Sequence, residues 1–136
     1  MAWSHFQHEA DIGLMGTGAD KAQAFEAIAV ALTAAITDPA SVACTESVAI
    51  RCTAPNDELL LADWLNAVIY EMATRRMLFG EYHVDITGGK LTATARGEPV
   101  DAARHEPAVE VKGATYTALA VEQADGQWCA QCVVDV

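Results

Sequence analysis

The stretch Tyr82-His83-Val84-Asp85-Ile86-Thr87-Gly88-Gly89-Lys90-Leu91-Thr92-Ala93-Thr94-Ala95 decides the fold. Tyr82, Val84 and Ile86 face one way, and after Gly88-Gly89 the residues Leu91, Ala93 and Ala95 resume the same alternation. Period two on both sides of a glycine pair predicts a tight antiparallel hairpin with one apolar face. Just upstream the spacing changes. Leu61, Trp64, Leu65, Val68 and Met72 recur every three or four residues behind a cap at Asn56 or Asp57, which predicts an amphipathic helix. The period switches near Arg75-Arg76, so a striped helix and a half-apolar hairpin adjoin, and each needs an apolar partner.

Working outward, the same two periods recur. On the N-terminal side, Val48, Ile50, Cys52 and Ala54 alternate with polar or small residues and predict a strand. Asp20 and Gln23 have capping-box spacing, and Phe25, Ile28, Ala29, Leu32 and Ile36 follow on one helical face that should end at Thr37-Asp38-Pro39. Trp3–His8 and Ile12–Thr17 read as two short strands, with a turn at Gly16 and Gly18. On the C-terminal side, residues Gly97–Pro107 hold two prolines and no periodicity, predicting a loop. Val109–Glu122 reads as a long strand, Asp125-Gly126 as a turn, and Gln127–Val136 as the closing strand. The order β-β-α-β-α-β-β-loop-β-β predicts an α+β two-layer sandwich with both helices on one face, as a single domain over residues 1–136.

Composition agrees and excludes several function classes. A chain of 136 residues, 52% hydrophobic, can bury roughly 68% of its unfolded surface and needs neither disulfide nor metal for a core. No run reaches the ~20 apolar residues of a membrane span, and the N-terminus lacks the basic and apolar regions of a secretory signal, so a cytoplasmic protein without membrane contact is expected. Lys and Arg number 8 against 19 Asp and Glu, for a net charge of −11. That balance argues against direct nucleic-acid binding, which rests on basic patches, and suits a divalent cation or a basic protein partner.

Few short motifs carry chemistry. Cys129-Ala-Gln-Cys132 has the spacing of redox and zinc motifs, but on a strand residues 129 and 132 point to opposite faces, so the four cysteines read as structural thiols. Gly16-Thr17-Gly18 lacks the third glycine of a dinucleotide fingerprint, and Ser4, Ser41 and Ser47 sit in no nucleophile motif. The carboxylates at strand ends carry more. Asp11 follows the first strand, Asp135 is next to last on the closing one, and His105 precedes Glu106, Glu110 and Lys112. Oxygen-rich donors with one imidazole suit a hard or borderline divalent ion such as Mg²⁺, Ca²⁺ or Mn²⁺. The alternative is that Asp11 caps a turn, Asp135 faces water and Lys112 guards a sheet edge.

Four segments, His8-Glu9-Ala10-Asp11-Ile12-Gly13, Asp63-Trp64-Leu65-Asn66, His105 followed by Glu110-Val111-Lys112-Gly113-Ala114-Thr115-Tyr116, and Val133-Val134-Asp135-Val136, resemble the motifs of the archease family in order and spacing. The resemblance implies an α+β domain of two β-α-β-β units on a mixed sheet. It further implies an accessory factor, itself no enzyme, for the GTP-dependent RtcB-type RNA ligase of tRNA splicing and RNA repair. Such a factor promotes guanylylation of the ligase histidine and repeated turnover through a bound divalent metal. Residue by residue, the resemblance makes Asp11 and Asp135 metal ligands, with His105 and Glu110 as supporting ligands. Lys112 and Glu9 become contacts to partner or nucleotide. Glu9 departs from the small hydroxyl residue common there, and Thr117 stands where many members carry histidine. Two other readings fit the same residues: a metal-dependent hydrolase using Asp11, Asp135 and His105, and a chaperone-like interaction module.

Overall fold

In the computed structural model, which describes residues 1–136, the chain opens with a hairpin. Strands β1 (Ala2–His8) and β2 (Asp11–Gly18) pair antiparallel from Ala2↔Thr17 to His8↔Asp11. Glu9 takes the turn with a φ of +51°. Helix α1 (Lys21–Ile36) starts where the spacing predicts, the Asp20 carboxylate accepting the Gln23 N–H at 2.8 Å. After one 3₁₀ turn at Pro39–Ser41 come β3 (Glu46–Thr53) and α2 (Asp57–Arg75), the latter capped by Asn56 Oδ1 on the Leu59 N–H at 2.9 Å. The predicted hairpin follows as β4 (Met77–Thr87) and β5 (Lys90–Pro99), with Gly88 at φ +61°. Then come a single turn α3 (Ala102–His105), β6 (Gly113–Ala114), β7 (Ala120–Ala124) and β8 (Gln127–Asp135). Asp125 and Gly126 both have positive φ, which suits a two-residue hairpin turn between β7 and β8.

The α+β sandwich is present, but its strands form two antiparallel sheets rather than one mixed sheet. One sheet runs β1-β2-β8, with β6 and β7 sharing the far side of β8; the other runs β3-β5-β4. The physical reason is an insertion. The crossover through α2 leaves β3 and β4 running the same way, and β5 enters between them, so both resulting pairs are antiparallel. The helices also do more than cover one face. Helix α1 packs on β1, β2 and β8 and equally meets β4 of the other sheet. Its buried residues include Ala24, Ala27, Ala29 and Ala31 beside Phe25, Ile28 and Leu32, small side chains that let both sheets approach. Gly16 is part of this fit, since a Cβ there would run into the α1 backbone at Ala24 and Ile28.

Trp64 and Met72 are buried in the shared core, as their stripe predicts. Its polar atoms are paired. Trp64 Nε1–H donates to the Phe25 carbonyl at 3.0 Å, and the Thr33 hydroxyl donates to the Phe79 carbonyl at 2.7 Å beside the Tyr82 hydroxyl.

Two segments differ from expectation. The long strand over Val109–Glu122 is broken into β6 and β7, because Thr115 Oγ1 accepts the Thr117 N–H at 3.1 Å and Ala118 turns with φ +53°. The expected loop from Gly97 is partly ordered: β5 continues to Pro99, and α3 is capped by Asp101 on the Arg104 N–H. No helix is long and apolar enough to cross a membrane.

Candidate metal-binding carboxylate pair

The β2–β8 register brings the two ends of the chain together. It runs from Gly18↔Trp128 to Ile12↔Val134, where the pairing ends, and Asp11 and Asp135 are the residues that flank that last pair. Which way the peptide groups point is settled by the far side of β8. The Thr115 N–H donates to the Val133 carbonyl at 2.9 Å, and the Lys112 N–H donates to the Asp135 carbonyl at 2.7 Å. The backbones of Val133 and Asp135 thus bond away from β2. Asp11 and Asp135 therefore lie just beyond the last paired residues, at a position where the Asp135 backbone does not bond across to β2. Gly16 marks the face of β2 that meets α1, so Ile12 and Leu14 share that face, while Asp11 and Gly13 lie on the other with Val133 and Asp135. Asp11 is half-buried and Asp135 exposed.

The remaining candidates fall in different places. Lys112 is exposed and adjoins the pair through its own backbone bond to Asp135. Glu9 is exposed in the hairpin turn and lines an open cleft with Asp11, His5 and Gln7. Glu110 instead lines an apolar groove of about 230 Å³ with Ile36, Ile69, Met72 and Val100. Thr117 lends its carbonyl to the Val133 N–H at 3.3 Å.

His105 is committed elsewhere. Its side chain is fully buried, its Nδ1 accepts the Asp101 N–H at 2.9 Å, and its Nε2–H donates to Glu98 at 3.0 Å. Both ring nitrogens are used, which leaves none for an ion and fixes the neutral tautomer. The supporting-ligand role therefore does not carry into the pair. His105 is a latch: its carbonyl accepts the Thr37 hydroxyl at 2.6 Å, tying α3 to the end of α1. Glu98 completes the latch. Hydrogen bonds from Arg104, then from the Ala43 N–H and from His105, hold its carboxyl down at about 2 against an ordinary 4.5.

His8, not among the candidates read from the sequence, lies beside Asp11 in the structure. It pairs with Asp11 across the hairpin, and its Nδ1 is the one buried side-chain nitrogen or oxygen with no hydrogen-bond partner. The signal was its three-residue spacing from Asp11, which a two-residue hairpin turns into a cross-strand pair. No three His, Cys, Asp or Glu side chains gather into a closed ion cage. Two carboxylates are, by their chemistry, donors of the kind a hard divalent ion takes together with backbone carbonyls or water.

The cysteines behave as structural thiols. All four are free, and burial pushes Cys52 and Cys132 up to about 11, far from a reactive thiolate.

The profile of the Archease protein family (MTH1598/TM1083) matches residues 3–136. The protein archease of Pyrococcus abyssi is 36% identical over 139 residues, covering 98% of each chain. That of Methanopyrus kandleri is 34% identical over 140 residues, covering 100% of both. Among solved structures, protein 1598 of Methanobacterium thermoautotrophicum superposes with a TM-score of 0.82 at 28% identity, over 99% of both chains. An archease and possible chaperone of Thermotoga maritima shares the fold, with a TM-score of 0.64 at 19% identity over 96% and 94% of the two chains. With residues 3–136 matched by the family profile and full-length relatives above 30% identity, this protein belongs to the archease family.

Proposed function

We propose that this protein is a cytoplasmic, non-enzymatic activator of a GTP-dependent RtcB-type RNA ligase in tRNA splicing and RNA repair. In this reading it promotes guanylylation of the ligase histidine, and repeated turnover, by means of a divalent ion (Ca²⁺, Mg²⁺ or Mn²⁺) held by Asp11 and Asp135. The observation that carries the proposal is the β2–β8 register, whose last pair, Ile12↔Val134, is flanked by Asp11 and Asp135 at the open end of the sheet. An ion held by two side chains keeps coordination positions for water or for groups of another molecule, which suits a helper better than a self-contained enzyme. Lys112 beside Asp135 suits nucleotide phosphate. The charge of −11 supports action through a protein partner rather than on RNA directly.

The hydrolase reading loses its general base, since His105 is occupied at both nitrogens. The chaperone-like reading is favoured by the apolar groove at Met72 and Val100 and by the description of the Thermotoga maritima relative. One experiment separates the two: guanylylation of the ligase from the same organism, with Asp11→Ala and Asp135→Ala beside the parent. Loss of stimulation in folded variants supports the activator, whereas unimpaired stimulation removes the carboxylate pair from the function.

A further inference from the structure

Strand β1 is an unguarded sheet edge. Natural edges are blunted by charge, proline, bulges or shortness. The other edges here carry such devices. Strand β4 shifts register between Phe79 and Glu81, bears Glu81 and Asp85, and has its Val84 N–H covered by Glu26 at 2.8 Å. Strand β3 bears Glu46 and Arg51, and the far edge of the larger sheet is divided between β6 and β7, of two and five residues. By contrast β1, Ala-Trp-Ser-His-Phe-Gln-His, runs seven residues in unbroken register without Lys, Arg, Asp, Glu or Pro.

Its free hydrogen-bonding groups can be named. Residues flanking a two-residue hairpin turn exchange hydrogen bonds, so the peptide groups of His8, Phe6 and Ser4 point toward β2 and those of Gln7, His5 and Trp3 point outward. Trp3 is 43% exposed. It lies against the His5 ring with centroids 5.1 Å apart, and that ring is held by its Nε2–H on the Ala31 carbonyl at 2.8 Å. At its C-terminal end the edge opens into the cleft lined by Gln7, Glu9 and Asp11.

We propose that β1 receives an extended segment of the ligase by strand addition. The added strand carries an apolar or aromatic side chain against Trp3 and His5, and a Lys or Arg at the end that meets Glu9. This inference rests on the ligase reading and deepens it, because backbone pairing along β1 would seat the carboxylate pair in a fixed orientation against the partner. Charge selects the occupant. A second copy would bring another −11 to a surface already at −11, while a basic segment is attracted.

The test is amide hydrogen exchange of this protein with and without the cognate ligase. The amides of Trp3, His5 and Gln7 should slow at least tenfold in the complex. Gln7→Pro removes one outward N–H while sparing the bonds to β2. It should need about tenfold more protein for the same ligase stimulation, and if the variant fails to fold, the exchange readout on the parent still decides. Stimulation without any slowing along β1 overturns the inference and leaves the ligase reading intact. A dimer that protects the same amides in the absence of ligase overturns it in favour of a second copy. A ligase neither bound nor stimulated sinks both readings together.

Discussion

Neutralising either carboxylate of the Asp11–Asp135 pair should stabilise the protein in metal-free buffer. Two carboxylates that share an ion come within about 4 Å, where like charges repel by about 1 kcal/mol at the dielectric of water and about 4 kcal/mol at an effective value of 20. Asp135 is exposed, so the lower figure applies. For a domain of this size, about 1 kcal/mol corresponds to a melting midpoint raised by about 4 °C. Asp135→Asn and Asp11→Asn should therefore each melt about 4 °C above the parent in low-salt, chelator-treated buffer. The gain should shrink in 1 M KCl, where the Debye length is about 3 Å. Adding Ca²⁺, Mg²⁺ or Mn²⁺ should reverse the order, since only the parent keeps both carboxylates; at 100 times Kd a bound ion adds about 2.7 kcal/mol. The assay is calorimetric melting of three proteins in five buffers: low salt with chelator, 1 M KCl, and each of the three cations. A midpoint that falls on substitution would show that the carboxylates are structural, and equal cation responses in all three proteins would refute the shared site.

Three further outcomes follow from the packing and the titrating groups. Gly16→Ala should cost about 2–3 kcal/mol in denaturant unfolding, because the new Cβ meets the α1 backbone at Ala24 and Ile28 rather than a movable side chain. The carboxyl of Glu98 is depressed in the folded state, so its stabilising contribution is complete above about pH 4.5, its ordinary value, and is lost as pH falls towards about 2. Unfolding of the parent and of Glu98→Gln should differ by a constant amount above pH 5 and converge below it; a gap unchanged at pH 2.5 would contradict the latch. At pH 8 a thiol-specific reagent should leave Cys52 and Cys132 nearly untouched until denaturant is added, and stoichiometric zinc in purified protein would overturn the structural-thiol assignment.

What could be read from the sequence was whatever depends on local period and caps. The Asp20 and Asn56 caps, the stripe through Trp64 and Met72, and the glycine hairpin at Gly88 appear where spacing puts them. Sheet partition could not be read that way, since the insertion of β5 between β3 and β4 depends on non-local pairing. Interruption of the strand after Val109 turned on one hydroxyl, Thr115 Oγ1, competing for a backbone N–H. At the site, motif order is what singles out Asp11 and Asp135 as proposed ligands, and the register places them on either side of the last β2–β8 pair. His105 shows the converse. Its motif position is occupied, but the bond from the Asp101 N–H depends on a one-turn helix that a proline-rich, aperiodic segment does not announce.

The central claim is that the carboxylate pair serves a ligase rather than the fold of this protein. It is tested most directly by labelling the cognate RtcB-type ligase with radioactive GTP at substoichiometric activator, comparing the parent with Asp11→Asn and Asp135→Asn after both variants are shown to melt at or above the parent midpoint. The account predicts strong labelling with the parent and none above the ligase-alone level with either variant. Full labelling with a folded Asp135→Asn would contradict it.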